Sequence, residues 1–165
     1  MSADDKLYLQ TAAAQGDAKA QYLLGLWYLS GKDGYPNFEL AAKWFQNAAE
    51  QGDVLAQLNL GILYLSGQGV TEDRAKASSW FFKAAEQGDA RSQFYMGILS
   101  HTDAKAAEWY RKAAELGDAD AQYELGILHV QGKGVQKDIK KAIELFLSAE
   151  KQGNEKAKDI LSQIQ

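Results

Sequence analysis

The residues that could do chemistry are few. His101 and His129 are the only histidines, and neither has a second His or a carboxylate at metal-ligand spacing within its helix. There is no cysteine, which excludes thiol catalysis, cysteine-bound zinc and disulfides. Gly67-Gln68-Gly69-Val70 and Gly132-Lys133-Gly134-Val135 superficially resemble phosphate-cradling loops. Neither follows a strand, carries the third glycine of a dinucleotide fingerprint, or runs into Gly-Lys-Ser/Thr, so both read as turns between helices. Glu50, Glu86 and Glu115 recur at one position, which marks architecture, because a catalytic carboxylate is normally singular. No nucleophile stands beside a base. The expectation is a chain that is not an enzyme and needs no metal or cofactor.

The elements holding these residues repeat. Gly16, Gly52, Gly88, Gly117 and Gly153 are spaced by 36, 36, 29 and 36 residues. Each is followed by Asp17, Asp53, Asp89, Asp118 or Asn154. Glycine suits the position just past a helix end, and Asp or Asn accepts hydrogen bonds from the free amides of the next helix start. A second column of capping types, Asn37, Asp73, Thr102 and Asp138, begins a further helix in each unit. Each unit is thus a helix pair. A helices are predicted over Ala18 to Ser30, Val54 to Ser66, Ala90 to Ser100 and Ala119 to Gln131. B helices are predicted over Phe38 to Gln51, Arg74 to Gln87, Asp103 to Leu116 and Ile139 to Gln152. A B-type half-unit over 1-15 precedes units 16-51, 52-87, 88-116 and 117-152, and a capping helix over 153-165, from Glu155 to Ile164, closes the chain. Ten helices result, and a period of about 36 residues implies stacked repeats, each burying its apolar face only against its neighbours.

Gly25, Gly61, Gly97 and Gly126 lie mid-helix, where glycine costs about 1 kcal/mol relative to alanine. A cost repeated in four units calls for close helix packing. Ala20, Ala56, Ser92 and Ala121 on A, with Ala48, Ala84, Ala113 and Ala149 on B, also permit close approach. The pairs Trp44-Phe45, Trp80-Phe81, Trp109-Tyr110 and Leu145-Phe146 are expected to fill the core. His129, in the column of Tyr28 and Tyr64, reads as a packing residue that also hydrogen-bonds, and His101 as a solvated turn residue.

Ala-x-Ala-Gln-x-x-Leu-Gly-x-x-Tyr, Gly-x-Gly-Val-x-x-Asp and Ala-x-x-Trp-Phe-x-Lys-Ala-Ala-x-x-Gly-Asp run from Ala56 through Gly61, Tyr64, Gly69, Asp73 and Trp80 to Gly88. In this the chain resembles the Sel1-like repeat family, related to tetratricopeptide repeats. The resemblance covers almost the whole chain and implies an all-α fold: an α/α superhelix, a right-handed solenoid of antiparallel helix pairs, serving as an adaptor or binding scaffold. Three departures stand out. Unit one has Gly31-Lys32-Asp33-Gly34-Tyr35-Pro36 in place of Gly-x-Gly-Val, so a different turn is expected there. Unit three lacks seven residues between its helices, leaving His101 between Ser100 and Thr102 in a shorter hairpin with a notch at one edge. Lys158, Asp159 and Ser162 give the last helix a solvent-facing cap. The missing cysteines exclude the family's cysteine-rich secreted branch.

The copies disagree along one narrow arc of helix A: Lys19, Leu23 and Ser30; Leu55, Asn59 and Ser66; Arg91 and Tyr95; Asp120, Glu124 and Gln131. Leu26, Ile62, Ile98 and Ile127 run beside it. In solenoids of helical pairs the A helices line the concave side, so this arc is the expected groove floor. Lys19, Leu23, Leu55, Asn59, Arg91, Tyr95, Asp120 and Glu124 are the candidate partner-binding residues, with the apolar row for anchors, Arg91 and Tyr95 at the centre, and Asp120 with Glu124 to receive a basic residue. The favoured function is a protein-protein interaction scaffold that binds a partner protein or peptide. The alternatives are a cognate inhibitor or immunity protein, and a cell-wall-fragment binder or hydrolase. A formal charge of -4 disfavours nucleic acid, and no window reaches the roughly 20 apolar residues of a membrane span. The amino end, Met1 to Lys6, lacks signal-peptide features, so a cytoplasmic monomer is expected; a mature periplasmic or secreted form would read the same way.

Overall fold

The structure is a computed structural model and describes residues 3–32 and 34–163. Among them are ten helices and no strand: α1 (Ala3–Ala14), α2 (Ala18–Ser30), α3 (Phe38–Glu50), α4 (Val54–Ser66), α5 (Arg74–Glu86), α6 (Ala90–Ile98), α7 (Asp103–Glu115), α8 (Ala119–Gln131), α9 (Ile139–Lys151) and α10 (Glu155–Gln163). This is the all-α arrangement of stacked helix pairs. The chain forms two compact halves, one ending at Gln87 and the other beginning at Gly88. The first contains α1 to α5 and the second α6 to α10.

Every predicted capping residue caps. Asp17, Asp53, Asp89, Asp118 and Asn154 accept from the amides of Ala20, Ala56, Ser92, Ala121 and Ala157 at 2.6–2.9 Å. Asn37, Asp73, Thr102 and Asp138 do the same for the B helices at 2.9–3.3 Å. Gly52, between α3 and α4, has φ of 93°, in the left-handed region that a side chain would strain.

The departures from prediction sit at helix ends. Each B helix stops one residue sooner, the terminal Gln51, Gln87, Leu116 or Gln152 acting as its cap. Helix α6 ends at Ile98 instead of Ser100: the Leu99 amide still donates to the Tyr95 carbonyl four residues back, but the Ser100 amide donates to Gly97, three back, and tightens the turn. The chain must reverse sooner there, the connection being seven residues shorter. Ile164 and Asp33 lie outside the described residues. The other hairpins share one closure, in which the amide of Asn37, Asp73 or Asp138 donates to the carbonyl of Tyr28, Tyr64 or His129 at 2.8–3.0 Å. Between these fixed ends the first loop does differ: Gly34 has φ of 120°, and its amide donates to Gly31 O.

The mid-helix glycines sit where aromatic rings press on the backbone. A Cβ on Gly25 would lie 2.6 Å from the Phe45 ring, and Gly61 stands equally close to Phe81 and Gly126 to Phe146. Gly97 faces Tyr110 in the same way. The tryptophans correct the expectation that both members of each aromatic pair fill the core. Phe45 and Phe81 are fully buried, whereas Trp44, Trp80 and Trp109 are only partly buried. Lys83 Nζ lies 4.0 Å over the Trp80 ring and Lys112 Nζ 4.3 Å over that of Trp109. Adjacent positions point about 100° apart on a helix, so only one of two neighbouring rings can face the glycine.

Buried glutamines stitch each pair to the one before it. Gln57 Nε2 donates to the Ala49 carbonyl at 3.1 Å, and its Oε1 accepts from Gln87 Nε2 at 2.9 Å. Gln21 makes the same two contacts, with Ala13 and Gln51. In the second half Gln122 repeats them with Ala114 and Gln152. Gln57→Leu removes two hydrogen bonds while keeping most of the volume. At about 0.5–1.5 kcal/mol each, the expected loss is about 1–3 kcal/mol, read as a lower urea midpoint with an unchanged slope.

Candidate interaction surface

The glycine-rich loops are structural. A side chain on Gly69 would strike the backbone of Phe38 and Glu39, and one on Gly134 that of Asp103 and Ala104. These glycines seat each loop on the start of the preceding B helix. His129 is partly buried, with Nδ1 3.1 Å from the Gln136 carbonyl, so it packs and hydrogen-bonds as expected of its column. His101 is exposed. Among the described residues no group of three or more His, Cys, Asp or Glu is placed to hold a metal, and no helix is long and apolar enough to cross a membrane.

In the first half the variable arc runs along α2 and α4. Lys19 is exposed with Nζ 4.9 Å over the Tyr22 ring, and Leu23 is partly buried. Leu55 is 41% exposed, a bare apolar side chain at a position where α2 carries Lys19. Asn59 turns back on its own helix, donating to the Leu55 carbonyl at 2.7 Å. Beside Leu23 an apolar depression of about 340 Å³ opens, lined by Leu23, Leu26, Trp27, Leu29, Ser30 and Lys32. Lys32 Nζ lies 5.3 Å over the Trp27 ring, so the depression has a cation at its edge.

In the second half the arc carries an ion-pair network. Arg91 Nη1 donates to Asp120 Oδ2 at 2.6 Å and to Asp118 Oδ2 at 3.3 Å. Asp118 also caps α8, and Asn154, the cap of α10, donates to Asp120 Oδ1 at 2.9 Å. Three successive A-type helices, α6, α8 and α10, are thus tied together at their amino ends. The Arg91 guanidinium also lies 4.7 Å from the Phe94 ring and 5.6 Å from that of Tyr95. Partial burial works against its charge, but Asp120 and Asp118 outweigh it and hold its pKa above the usual arginine value. Asp120 is therefore engaged within the chain on both oxygens.

Glu124, one turn along α8, is partly buried. Burial raises its carboxyl above the ordinary value; Lys156 on α10 pulls it down and Asp120 adds to the rise. The Tyr110 hydroxyl is pushed up to about 12, first by burial and then by the Glu124 charge. A carboxyl with a raised folded pKa contributes stability that is complete below its ordinary value and lost as pH rises through the raised one. Glu124→Gln should therefore raise the urea midpoint at neutral pH, with the gain vanishing in acid. A midpoint lowered at neutral pH would show that the charged form is the stabilising one.

Sequence reasoning placed Arg91, Tyr95, Asp120 and Glu124 on one arc but missed Asp118, Asn154 and Lys156 as their partners. The signal available was opposite charge in one column of successive A helices, Arg91 against Asp120. Asp118 and Asn154 were legible only as caps.

The repeat pattern itself matches a known family. The Sel1 repeat family model matches residues 18–53, 54–89, 103–118 and 119–154, most of the chain. The chain belongs to the Sel1 repeat family. The third match begins at residue 103, consistent with the shortened third pair. No curated protein matches the chain in sequence. Among solved structures, a protective antigen present in uropathogenic Escherichia coli strains and displaying an SLR fold is 34% identical, with a TM-score of 0.90 over 96% of this chain and 36% of its own. A Sel1 repeat protein from Oxalobacter formigenes is 36% identical, with a TM-score of 0.83 over 95% of this chain and 68% of its own. A protein from Pseudomonas aeruginosa is 26% identical, with a TM-score of 0.64 over 85% of this chain and 55% of its own. This chain thus spans about a third of the length of the E. coli antigen. Sel1 repeat proteins generally act as non-catalytic scaffolds for protein-protein interaction.

Proposed function

We propose that this Sel1 repeat chain is an interaction scaffold whose A-helix faces contact a partner protein or peptide. In the first half the contact residues are Lys19, Leu23, Leu55 and Asn59; in the second they are Arg91, Tyr95, Asp120 and Glu124. The observation that carries the reading is the apolar depression on α2, because Leu23, Leu26 and Ser30 on its wall belong to the arc and the row beside it. Its volume suits one apolar anchor side chain, the kind of contact that dominates interface energetics. In the second half, Arg91 and Asp120 serve as a pre-organised platform held by their mutual ion pair. Glu124 is the acceptor for a basic group, since bringing a cation to a half-desolvated carboxylate relieves the cost of its burial.

The test is site-specific photo-crosslinking in the native host, with the photoreactive residue at Leu23, Leu55 or Tyr95 and, as controls, at the exposed B-helix positions Glu86 and Lys140. A defined polypeptide adduct from the A positions and none from the B positions is expected. Adducts from the B positions alone would overturn the assignment. Arg91→Glu is not the right probe, because it would set a third acid against Asp118 and Asp120 and confound binding with stability.

A further inference from the structure

Residues 38–87 and 103–152 are the same structure twice, 65 positions apart. The register is fixed by hydrogen bonds: Gln87 to Gln57 matches Gln152 to Gln122, and the Asp73 cap on Lys76 matches the Asp138 cap on Lys141. It is fixed again in the core, where Gly61 meets Phe81 as Gly126 meets Phe146. Differences between the two copies are therefore departures from a known local solution.

One difference concerns the space between successive B helices, floored by the A helix between them. In the first half, Trp80 packs there against the core around Phe45 and Leu60, with Lys83 stacked 4.0 Å over its ring. Tyr64 packs against the same core, with Lys76 Nζ 5.3 Å over its own ring. In the second half, the residues at the positions of Trp80, Lys83 and Tyr64 are Leu145, Ser148 and His129. All three are smaller, and all three line a cavity of about 300 Å³ between α7 and α9. Leu125 and Leu145 provide apolar wall, and Arg111 and Lys141 contribute two cations against the single lining carboxylate of Glu115, with Lys141 Nζ also 3.4 Å from Glu144 Oε2 on its own exposed helix face. Arg111 occupies the position of Gln46, which in the first half is tied to Glu50 by a hydrogen bond at 2.9 Å. None of the described ion pairs involves Arg111.

We propose that this cavity is a second binding site, one that receives an aromatic side chain of a partner polypeptide with an acidic residue beside it. The first half supplies the template for the occupant: an indole ring against Leu60 with a cation on its face. In the second half the ring comes from the partner, Arg111 on the facing helix α7 supplies the cation that Lys83 supplies in the first half, and Arg111 with Lys141 meets the neighbouring carboxylate. A cation over an aromatic face and a guanidinium paired with a carboxylate are both favourable at a partly desolvated site. The cavity volume lies at the lower end of the range for small ligand sites, as a single side chain requires. The site lies between the B helices α7 and α9 and is floored by Gln122, Leu125 and His129 of α8; none of its lining residues is among the contact residues proposed above.

The experiment titrates the blocked peptide acetyl-Asp-Trp-Asp-amide into the isotope-labelled full chain and follows backbone amide shifts. Saturable shifts are expected at Leu125, His129, Leu145 and Ser148, with none from the peptide in which Trp is replaced by Ala. Leu145→Trp with Ser148→Lys refills the cavity with the first half's own residues and should abolish the shifts at an unchanged melting temperature. Arg111→Gln, which restores the first half's residue, should weaken binding roughly tenfold, the size of one desolvated cation–ring contact. Should the refilled variant fail to fold, Ser148→Lys alone and Arg111→Gln still decide. No saturable shift at millimolar peptide, or equal binding by the refilled variant, would overturn the site. Equally tight binding of acetyl-tryptophanamide would overturn the acidic neighbour.

Discussion

Gly61→Leu destabilises the fold by about 1–3 kcal/mol, with the upper end expected, because the side chain it adds has nowhere to go. A Cβ at this position would already stand 2.6 Å from Phe81 Cε1, 2.8 Å from Cδ1 and 3.0 Å from Cζ. Phe81 cannot yield, being fully buried on α5 with Ala77, Ala84 and Ala85 buried along the same helix. Gly61→Ala separates two effects of opposite sign. Alanine gains about 1 kcal/mol of helix propensity over glycine, so a neutral outcome would mean that ring and backbone can part at low cost. The ring contact is expected to win and the variant to be destabilised. Pairing Gly61→Ala with Phe81→Leu removes the ring that the methyl strikes, and the double variant should lose less than the sum of the single changes. For a chain of this size the Gly61→Leu loss corresponds to roughly 2–4 °C in Tm per kcal/mol. An unchanged midpoint would show that α4 and α5 are not held at this distance.

The same contact shows what the sequence carries and what it does not. That a glycine recurs mid-helix against a recurring aromatic pair is visible in Gly61 and Trp80-Phe81, and close packing follows from the propensity cost alone. Helix starts are equally visible, because a cap is a local contract between one side chain and an amide three residues on, as Asp53 and Ala56 show. Two kinds of information are not local. Which of two adjacent rings faces the glycine depends on the rotation of α5 against α4, and both choices satisfy the same apolar pattern. Arg91 was likewise read as a variable surface residue, since comparing copies one column at a time registers variation but no pairing between columns. Its partners Asp118 and Asp120 lie one A helix away, and only the stacking of α6 on the α7–α8 pair brings them to 3.3 and 2.6 Å. The helix end at Ile98 was missed for a related reason: a seven-residue deletion is plain in the spacing, but the residues lost from the preceding helix to close the shorter turn are not.

Phe81→Ala should cost about 3–5 kcal/mol, and Trp80→Ala roughly half as much, although the indole is the larger ring. Ring size argues for the opposite order, and the sequence, which leads one to expect both rings in the core, gives no reason to reverse it. Burial decides. Phe81 is fully buried against the backbone of Gly61, so its removal leaves a cavity on a helix that cannot close in, α4 being fixed at its amino end by the Asp53 cap and the Gln57–Gln87 bond and near its carboxyl end by the Asp73 amide on the Tyr64 carbonyl. Trp80 is partly buried, and one face of its ring is covered by the flexible Lys83 side chain at 4.0 Å. Truncating it opens a depression that water can enter and Lys83 can partly fill, which is cheaper than a dry void. Urea denaturation of the two variants at equal slope settles the order. A larger loss for Trp80→Ala would mean that α5 is rotated toward α4 through its tryptophan, and the inference that Leu145 leaves an indole-sized space in the second half would fall with it, because that inference takes the seat of Trp80 as its template.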